Sequence, residues 1–315
     1  MQKKFEKIDI ILDALVAFER IEGKLVGLKD ESHYVTLSKQ IVDSIRRIQF
    51  IEKIGERQIS VLRSNPHSDM FDPLKSAWLN IRNNNVNEAY WLIFLSIHFG
   101  KHNMHGWDLC ADIYGGLGKT IWTWDKVSSN LTGFSKWFEN ASKEMESDNV
   151  KRLFGNHRKY ESLRYNSRRP LHKVIESYVN WIGISRDHDT KFLEIITLNN
   201  TKDKFEFFDK SYQSMKHVKS FGRTAKFDYL TMLKKFNLQN IEPKELYLTG
   251  ATGPKFGANL LFFGVKTSGV SNFKLNLLLN TLAENLPIGI LASQVLEDAL
   301  CNWQKSSNKY IYFGG

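Results

Sequence analysis

Six prolines in 315 residues are the feature that most restricts what this chain can fold into. Proline removes a backbone donor and clashes with the preceding turn, so a chain this poor in it can run long helices without interruption. Apolar residues recur with a period near 3.6 over long stretches, and alternating strand patterns are scarce. Helices are expected over roughly 4–21, 36–62, 72–82, 86–99, 106–115, 134–146, 170–183, 223–236, 254–264, 273–284 and 292–303, with ends good to several residues. The most loop-like segment is 184–209, with Asn199-Asn200-Thr201 and mixed charge. It leaves room for a short β-hairpin through Phe192 to Thr197 and for a separation between two lobes. The expected architecture is all-α and two-lobed, with 1–85 as an N-terminal helical region and 86–315 as the main domain.

Lys and Arg outnumber Asp and Glu by 44 to 34, a formal charge of +10, which favours a polyanionic partner and electrostatically steered encounter with it. Nucleic acid and an anionic membrane both satisfy that description. The longest apolar stretch, Ala89 to Ile97, is far short of the roughly 20 residues needed to span a bilayer. Asp9 and Asp13 interrupt what would be the apolar core of a signal peptide, so a cytoplasmic address and no membrane partner are expected. Two cysteines, Cys110 and Cys301, cannot build a disulfide framework or a four-cysteine iron–sulfur cluster within the chain. Both lie in apolar helical contexts and read as small buried hydrophobes.

Between Lys151 and Lys173 the chain places eight Lys or Arg residues against one acid, Glu161, with Tyr160, Tyr165, His157 and His172 interleaved. That pattern fits a surface that tracks phosphates and stacks bases, Arg168 and Arg169 being candidate DNA contacts, and it equally fits a solvated helix face followed by a loop. His98 and His102 stand four residues apart, one helical turn, with Lys101 between them. The spacing suits a metal pair, but no third ligand is evident, and no metal or cofactor is expected. Gly115-Gly116-Leu117-Gly118-Lys119-Thr120 has Ile113 where a nucleotide-binding P-loop needs its first glycine, so an ATPase or kinase reading is rejected. Trp122 and Trp124 read as core or lobe-interface aromatics.

The stretch from Ile241 to Phe262 carries the most information. A short helix is expected to end near Leu248, a turn with Gly250 and Gly253 follows, and Pro254 suits the first position of a second helix. The two glycines permit positive φ and leave backbone N–H groups uncovered, so turn and helix start can receive a phosphate without reading sequence. An ordinary glycine-rich connection between core helices is the other reading.

Leu248 to Leu260 resembles the signature hairpin of the helix-hairpin-helix DNA glycosylase superfamily, and Lys255 stands where bifunctional members carry a lysine that attacks the sugar. The resemblance implies a Schiff-base role for Lys255 or, alternatively, a phosphate contact. Two residues separate Gly250 from Gly253 where the superfamily has one. The superfamily's catalytic aspartate has no counterpart at its usual spacing; with an insertion allowed, Leu286 to Val295 resembles the expected approach and helix start, but Ala292 takes the acidic position, and the nearby carboxylates are Glu297 and Asp298. Ser220-Phe221-Gly222-Arg223-Thr224-Ala225-Lys226-Phe227-Asp228-Tyr229-Leu230, the hairpin, and Phe94 to His102 with Gly106-Trp107 together resemble the alpha-glutamyl/putrescinyl thymine pyrophosphorylase group, clade three, over about 88 to 305. That group lies in the glycosylase-like superfamily associated with hypermodified phage bases, and one branch removes glucosylated hydroxymethylcytosine as an anti-phage glycosylase.

The resemblance implies a glycosylase-like domain over 86–315 with a basic insertion near 151–173. It implies double-stranded DNA, modified phage DNA in particular, as the partner, no obligate protein partner, and a flipped base hydrolysed from its sugar. Asp298, Glu297, Lys255 and Asp228 are the catalytic candidates, with Asp228 equally suited to an ion-pair network. His98, Lys101, His102 and Arg223 are the candidate pocket, and Gly250, Gly253, Lys255, Lys226, Arg168 and Arg169 the candidate DNA contacts. The rivals are a base-modifying transferase or pyrophosphorylase, which needs a small-molecule donor, and a DNA-binding module without catalysis.

Overall fold

A computed structural model describes residues 2–155 and 158–313. His157 lies outside the described residues. Among them the fold is all-α: regular strands are absent, and two compact units emerge, one of residues 1–53 with 242–315 and the other of residues 54–241.

The first unit is built from α1 (Gln2–Ile21), α2 (Glu31–Glu56), α12 (Gly253–Phe263), α13 (Asn272–Asn285) and α14 (Ala292–Trp303). Ile8, Ile11, Leu15 and Phe18 recur at helical spacing along one face of α1 and enter a core shared with Leu37 and Ile41 of α2 and Val295, Leu296, Ala299 and Trp303 of α14. Burial of this stripe, rather than helix propensity, is what stabilises helices of this kind. Two glycines let α12 and α14 approach closely: a Cβ on Gly253 would run into the Cys301 sulfur, and one on Gly257 into the Leu300 carbonyl oxygen. The chain's end returns over α2, where the Gln40 side-chain amide donates to the Ile311 carbonyl at 2.8 Å and the Tyr310 hydroxyl donates to Asp43.

The second unit holds α3 (Pro73–Arg82), α4 (Val86–Phe99), α5 (Asp108–Tyr114), α6 (Trp124–Ser129), α7 (Leu131–Ser147), α8 (Leu171–Ile182), α9 (His188–Asn199), α10 (Lys204–Ser214) and α11 (Arg223–Lys235). α4 is apolar on almost every face and forms the centre, packed by α3, α5, α6 and α11, as expected of a helix with no polar side. Trp122 and Trp124 are buried, in agreement with their reading as core aromatics. The expected hairpin through Phe192 to Thr197 is absent: those residues lie inside α9, and 184–209 packs as helix within this unit rather than forming a separator. The reason is tertiary. His188, the first residue of α9, bonds Asn87 of α4 through Nδ1 at 2.6 Å and Tyr178 of α8 through Nε2 at 2.9 Å, and it stacks on Tyr90. A terminus pinned at three points overrides a β-branched run such as Ile195-Ile196-Thr197.

α4 also buries a carboxylate. Glu88 accepts from the Tyr114 hydroxyl at 2.6 Å and from the Trp124 backbone N–H at 2.7 Å, and burial pushes its carboxyl up to about 7, with those two bonds opposing the rise. Between its ordinary value and 7 the folded chain therefore holds a proton that the unfolded chain has lost, and this group's contribution to stability falls as pH rises through that window. Glu88→Gln has no such titration. Its unfolding free energy relative to wild type should improve by up to about 3 kcal/mol between acidic and neutral pH. Urea unfolding of both proteins at the two pH values measures this; a gap that does not move with pH contradicts it.

Candidate active site

α4 stops at Gly100, whose φ of +68° only glycine adopts without strain. Because the helix ends there, His98 and His102 do not share a helical face as their spacing suggests. His98 is buried against Phe94, Phe99 and Phe154, and its burial, with Arg158 as a lesser cause, holds the imidazole well below its ordinary pKa and therefore neutral. His102 instead closes a small turn: its backbone pairs with Gly106 in both directions at 2.9 Å, and its Nδ1 accepts from the Met104 and His105 N–H groups. Lys101 is exposed. No group of three or more potential metal ligands occurs among the described residues.

Gly100 has a second role. The Gly155 N–H donates to the Phe99 carbonyl at 2.8 Å, and a Cβ on Gly155 would sit 2.8 Å from the Gly100 backbone. Only two glycines allow the chains to cross this closely. The crossing delivers the segment from Arg158 onward to a cavity of about 720 Å³, lined in part by Arg158, Glu161, Arg168, Arg169, Lys173, Lys216 and Lys219. Six cations therefore face one carboxylate. Tyr160, 83% exposed, stands at the same rim with the Lys159 ammonium 4.9 Å from its ring centre.

Arg158 anchors the cavity wall. It is 7% exposed, its guanidinium lies over the Phe221 ring at 5.4 Å, and its Nη1 donates to the Ser220 carbonyl. Its Nε and Nη2 meet no acceptor. Burial draws its pKa down, opposed by Glu161 and Asp228, but a guanidinium stays charged at any physiological pH. Glu161 has a side chain only 6% exposed, with Arg158 at 3.6 Å, Arg169 at 3.9 Å and the Ser220 hydroxyl at 3.4 Å. It also lines a second cavity of about 490 Å³ that His102, Arg152, Lys159 and Arg164 border.

Of the residues singled out in the sequence, Arg168, Arg169 and His102 line these cavities. Arg223, Lys226 and Asp228 lie on α11, which begins beside the first cavity at Gly222. Arg223 stacks over Phe227 at 5.2 Å and Lys226 over Tyr212 at 4.0 Å, where burial draws the lysine pKa down; Asp228 acts on Arg158 electrostatically. The basic segment is less open than its composition suggests, because Arg152 is buried in bonds to Asp112 at 2.5 Å and to Asp148 at 2.7 Å. Glu161, Lys216 and Lys219 were not foreseen as site residues, although Glu161 is the one acid in the basic stretch.

The remaining candidates lie in the first unit. No helix precedes the glycine turn: residues 242–252 are irregular, Tyr247 takes a left-handed φ of +50°, and the turn closes by the Ala251 N–H donating to the Leu248 carbonyl at 2.9 Å. The expected helix ending at Leu248 is thus replaced by irregular chain with Leu246 and Leu248 buried. Gly250 has the positive φ, +78°, that a turn requires. Gly253 does not; its lack of a side chain serves the packing of α12 on α14 instead. Pro254 opens α12 with Lys255 beside it, half-buried. Asp298 is held at both oxygens, Oδ2 by the Arg47 guanidinium at 2.5 Å and 2.9 Å and Oδ1 by the Asn302 amide at 3.0 Å. Glu297, beside it on α14, is half-buried.

Residues 32–315 match the family model described as Alpha-glutamyl/putrescinyl thymine pyrophosphorylase clade 3. The chain belongs to that family. The match spans both compact units, covering the turn before α12 in the first and the cation-lined cavity in the second. No curated protein and no solved structure matches the chain significantly. None of the described helices is long and apolar enough to cross a membrane.

Proposed function

We propose that this member of the thymine pyrophosphorylase family is a DNA glycosylase, one that flips a hypermodified base out of double-stranded DNA and hydrolyses its bond to the sugar. Glucosylated hydroxymethylcytosine in phage DNA is the substrate we assign, which would make the reaction an anti-phage defence in the cytoplasm, with no cofactor. The observation that carries the reading is the cavity of about 720 Å³ where six Lys and Arg side chains surround one buried carboxylate. Its cations suit the phosphates on either side of a flipped nucleotide, Tyr160 offers a stacking face at the rim, and its volume lies in the range of small-molecule sites. The turn at Gly250 and the start of α12, with Lys255, supply a further phosphate contact.

The family's name supports a second reading. The same cations would hold a diphosphate, as an enzyme exchanging pyrophosphate on a modified thymine requires. Products separate the two, because a glycosylase leaves an abasic site and a base-modifying enzyme leaves the base attached. Genomes carrying glucosylated, hydroxymethylated or plain cytosine should be incubated with the protein and titrated with an aldehyde-reactive probe. Abasic sites should form on the glucosylated genome and not on plain cytosine; equal signal from all three defeats the substrate assignment, and no signal defeats the glycosylase.

A further inference from the structure

We infer that Glu161 is the catalytic carboxylate, an inference that rests on the glycosylase reading above. Among the residues lining the larger cavity it is the lone acid, and it also lies on the wall of the smaller one. The acid with which it shares the smaller cavity, Glu146, is about half exposed and paired with Arg164 at 3.1 Å. Asp298 has both oxygens committed to Arg47 and Asn302. Glu161 differs from both. Its side chain is almost wholly buried, yet its nearest cations stand at 3.6 Å and 3.9 Å and its hydroxyl partner at 3.4 Å. These distances exceed those of strong charge-assisted bonds, so two guanidinium groups near Oε1 and the Ser220 hydroxyl at Oε2 hold the carboxylate while its oxygens keep acceptor capacity for a ligand.

A carboxylate so placed suits the reaction. The bond between C1′ and the base nitrogen breaks heterolytically, the electron pair leaves with the base, and positive charge develops on the sugar beside Glu161. One water adds its oxygen to C1′ and passes a proton to the carboxylate, which returns it to the departed base nitrogen through solvent. The balance is one water consumed, one free base and one abasic sugar formed. Stabilising charge that exists only in the transition state lowers the barrier without tightening ground-state binding.

The test is single-turnover abasic-site formation on glucosylated DNA with wild type, Glu161→Gln, Glu161→Asp and Glu161→Ala, alongside DNA affinity and melting temperature. Glu161→Gln should lose at least about 100-fold in rate while binding DNA as tightly as wild type. Glu161→Asp should retain part of the rate, and added formate should restore part of it to Glu161→Ala, because a small carboxylate can enter the space left behind. A Glu161→Gln protein with wild-type rate overturns the inference. So does parallel loss of folding and rate with no rescue by formate or Asp, which would make the residue structural. A wild-type protein that forms no abasic sites on any genome would remove the glycosylase reading itself, a result distinguishable from failure of Glu161 alone.

Discussion

Replacing Arg168 and Arg169 together with glutamate should weaken DNA binding by at least about tenfold at low salt and make the remaining binding less sensitive to salt. Both side chains are exposed on the rim of the cation-lined cavity. A cation that neutralises a phosphate releases a condensed counterion, and each lost contact reduces the slope of log affinity against log salt by about 0.9 on duplex DNA. The double variant should therefore show a slope shallower by about 2. Arg169 also stands 3.9 Å from Glu161, so its reversal places two carboxylates together; Arg168→Glu alone isolates the effect on phosphate. Fluorescence anisotropy across a salt series measures both quantities. Unchanged affinity and slope in the double variant would remove this rim from the DNA path.

The second large effect concerns the scaffold. Gly257→Ala should destabilise the protein by roughly 1–3 kcal/mol, because its Cβ meets the backbone carbonyl oxygen of Leu300. A flexible side-chain tip could move aside, whereas backbone can yield only by parting α12 from α14. That parting would open the core around Ala258, Leu261, Leu296 and Trp303. Gly250→Ala provides the contrast: its φ of +78° disfavours any side chain, but a Cβ there meets nothing within 4 Å. Its cost is conformational strain alone, of the order of 1 kcal/mol. Equal unfolding midpoints for Gly257→Ala and wild type would contradict the close crossing.

The helical plan could be read where one signal dominated. α4 was legible because a mainly apolar stretch, broken near its end only by Ser96 and His98, stops at a glycine, and the expected 86–99 is the observed Val86–Phe99. α9 and α10 were obscured by Ile195-Ile196-Thr197 and by the polar Asn199-Asn200-Thr201. Their starts nevertheless carried local signals: Asp187 caps Thr190, Asp203 caps Phe205 and Glu206, and Glu206 reaches back to the Lys202 N–H at 3.0 Å. Those are helix-start patterns that composition outweighed. The missing helix before Gly250 is the reverse case, where a motif suggested an element that Tyr247, in a left-handed conformation, does not continue.

The site was legible as charge and not as geometry. Eight cations between Lys151 and Lys173 marked the segment, but nothing in their order shows that Arg152 is consumed by Asp112 and Asp148 while Arg168 and Arg169 stay exposed. Glu161 stood out only as the single acid. Its side chain is buried beside Arg158, Arg169 and Ser220, partners 3, 8 and 59 residues away in sequence. The His98 and His102 pairing failed for a local reason, since a C-terminal glycine at position 100 falls between them.

The central claim is that this chain cuts the bond between a hypermodified base and its sugar, and the small molecules it releases test that most directly. Purified protein incubated with glucosylated phage DNA, followed by mass spectrometry of the filtrate and of the digested DNA, gives both sides of the balance. The account predicts free glucosylated hydroxymethylcytosine in the filtrate, matched one for one by abasic sites in the polymer, with plain cytosine left in place. Release of pyrophosphate from DNA carrying a modified thymine, or a filtrate free of base while every nucleotide in the polymer stays intact, would contradict it.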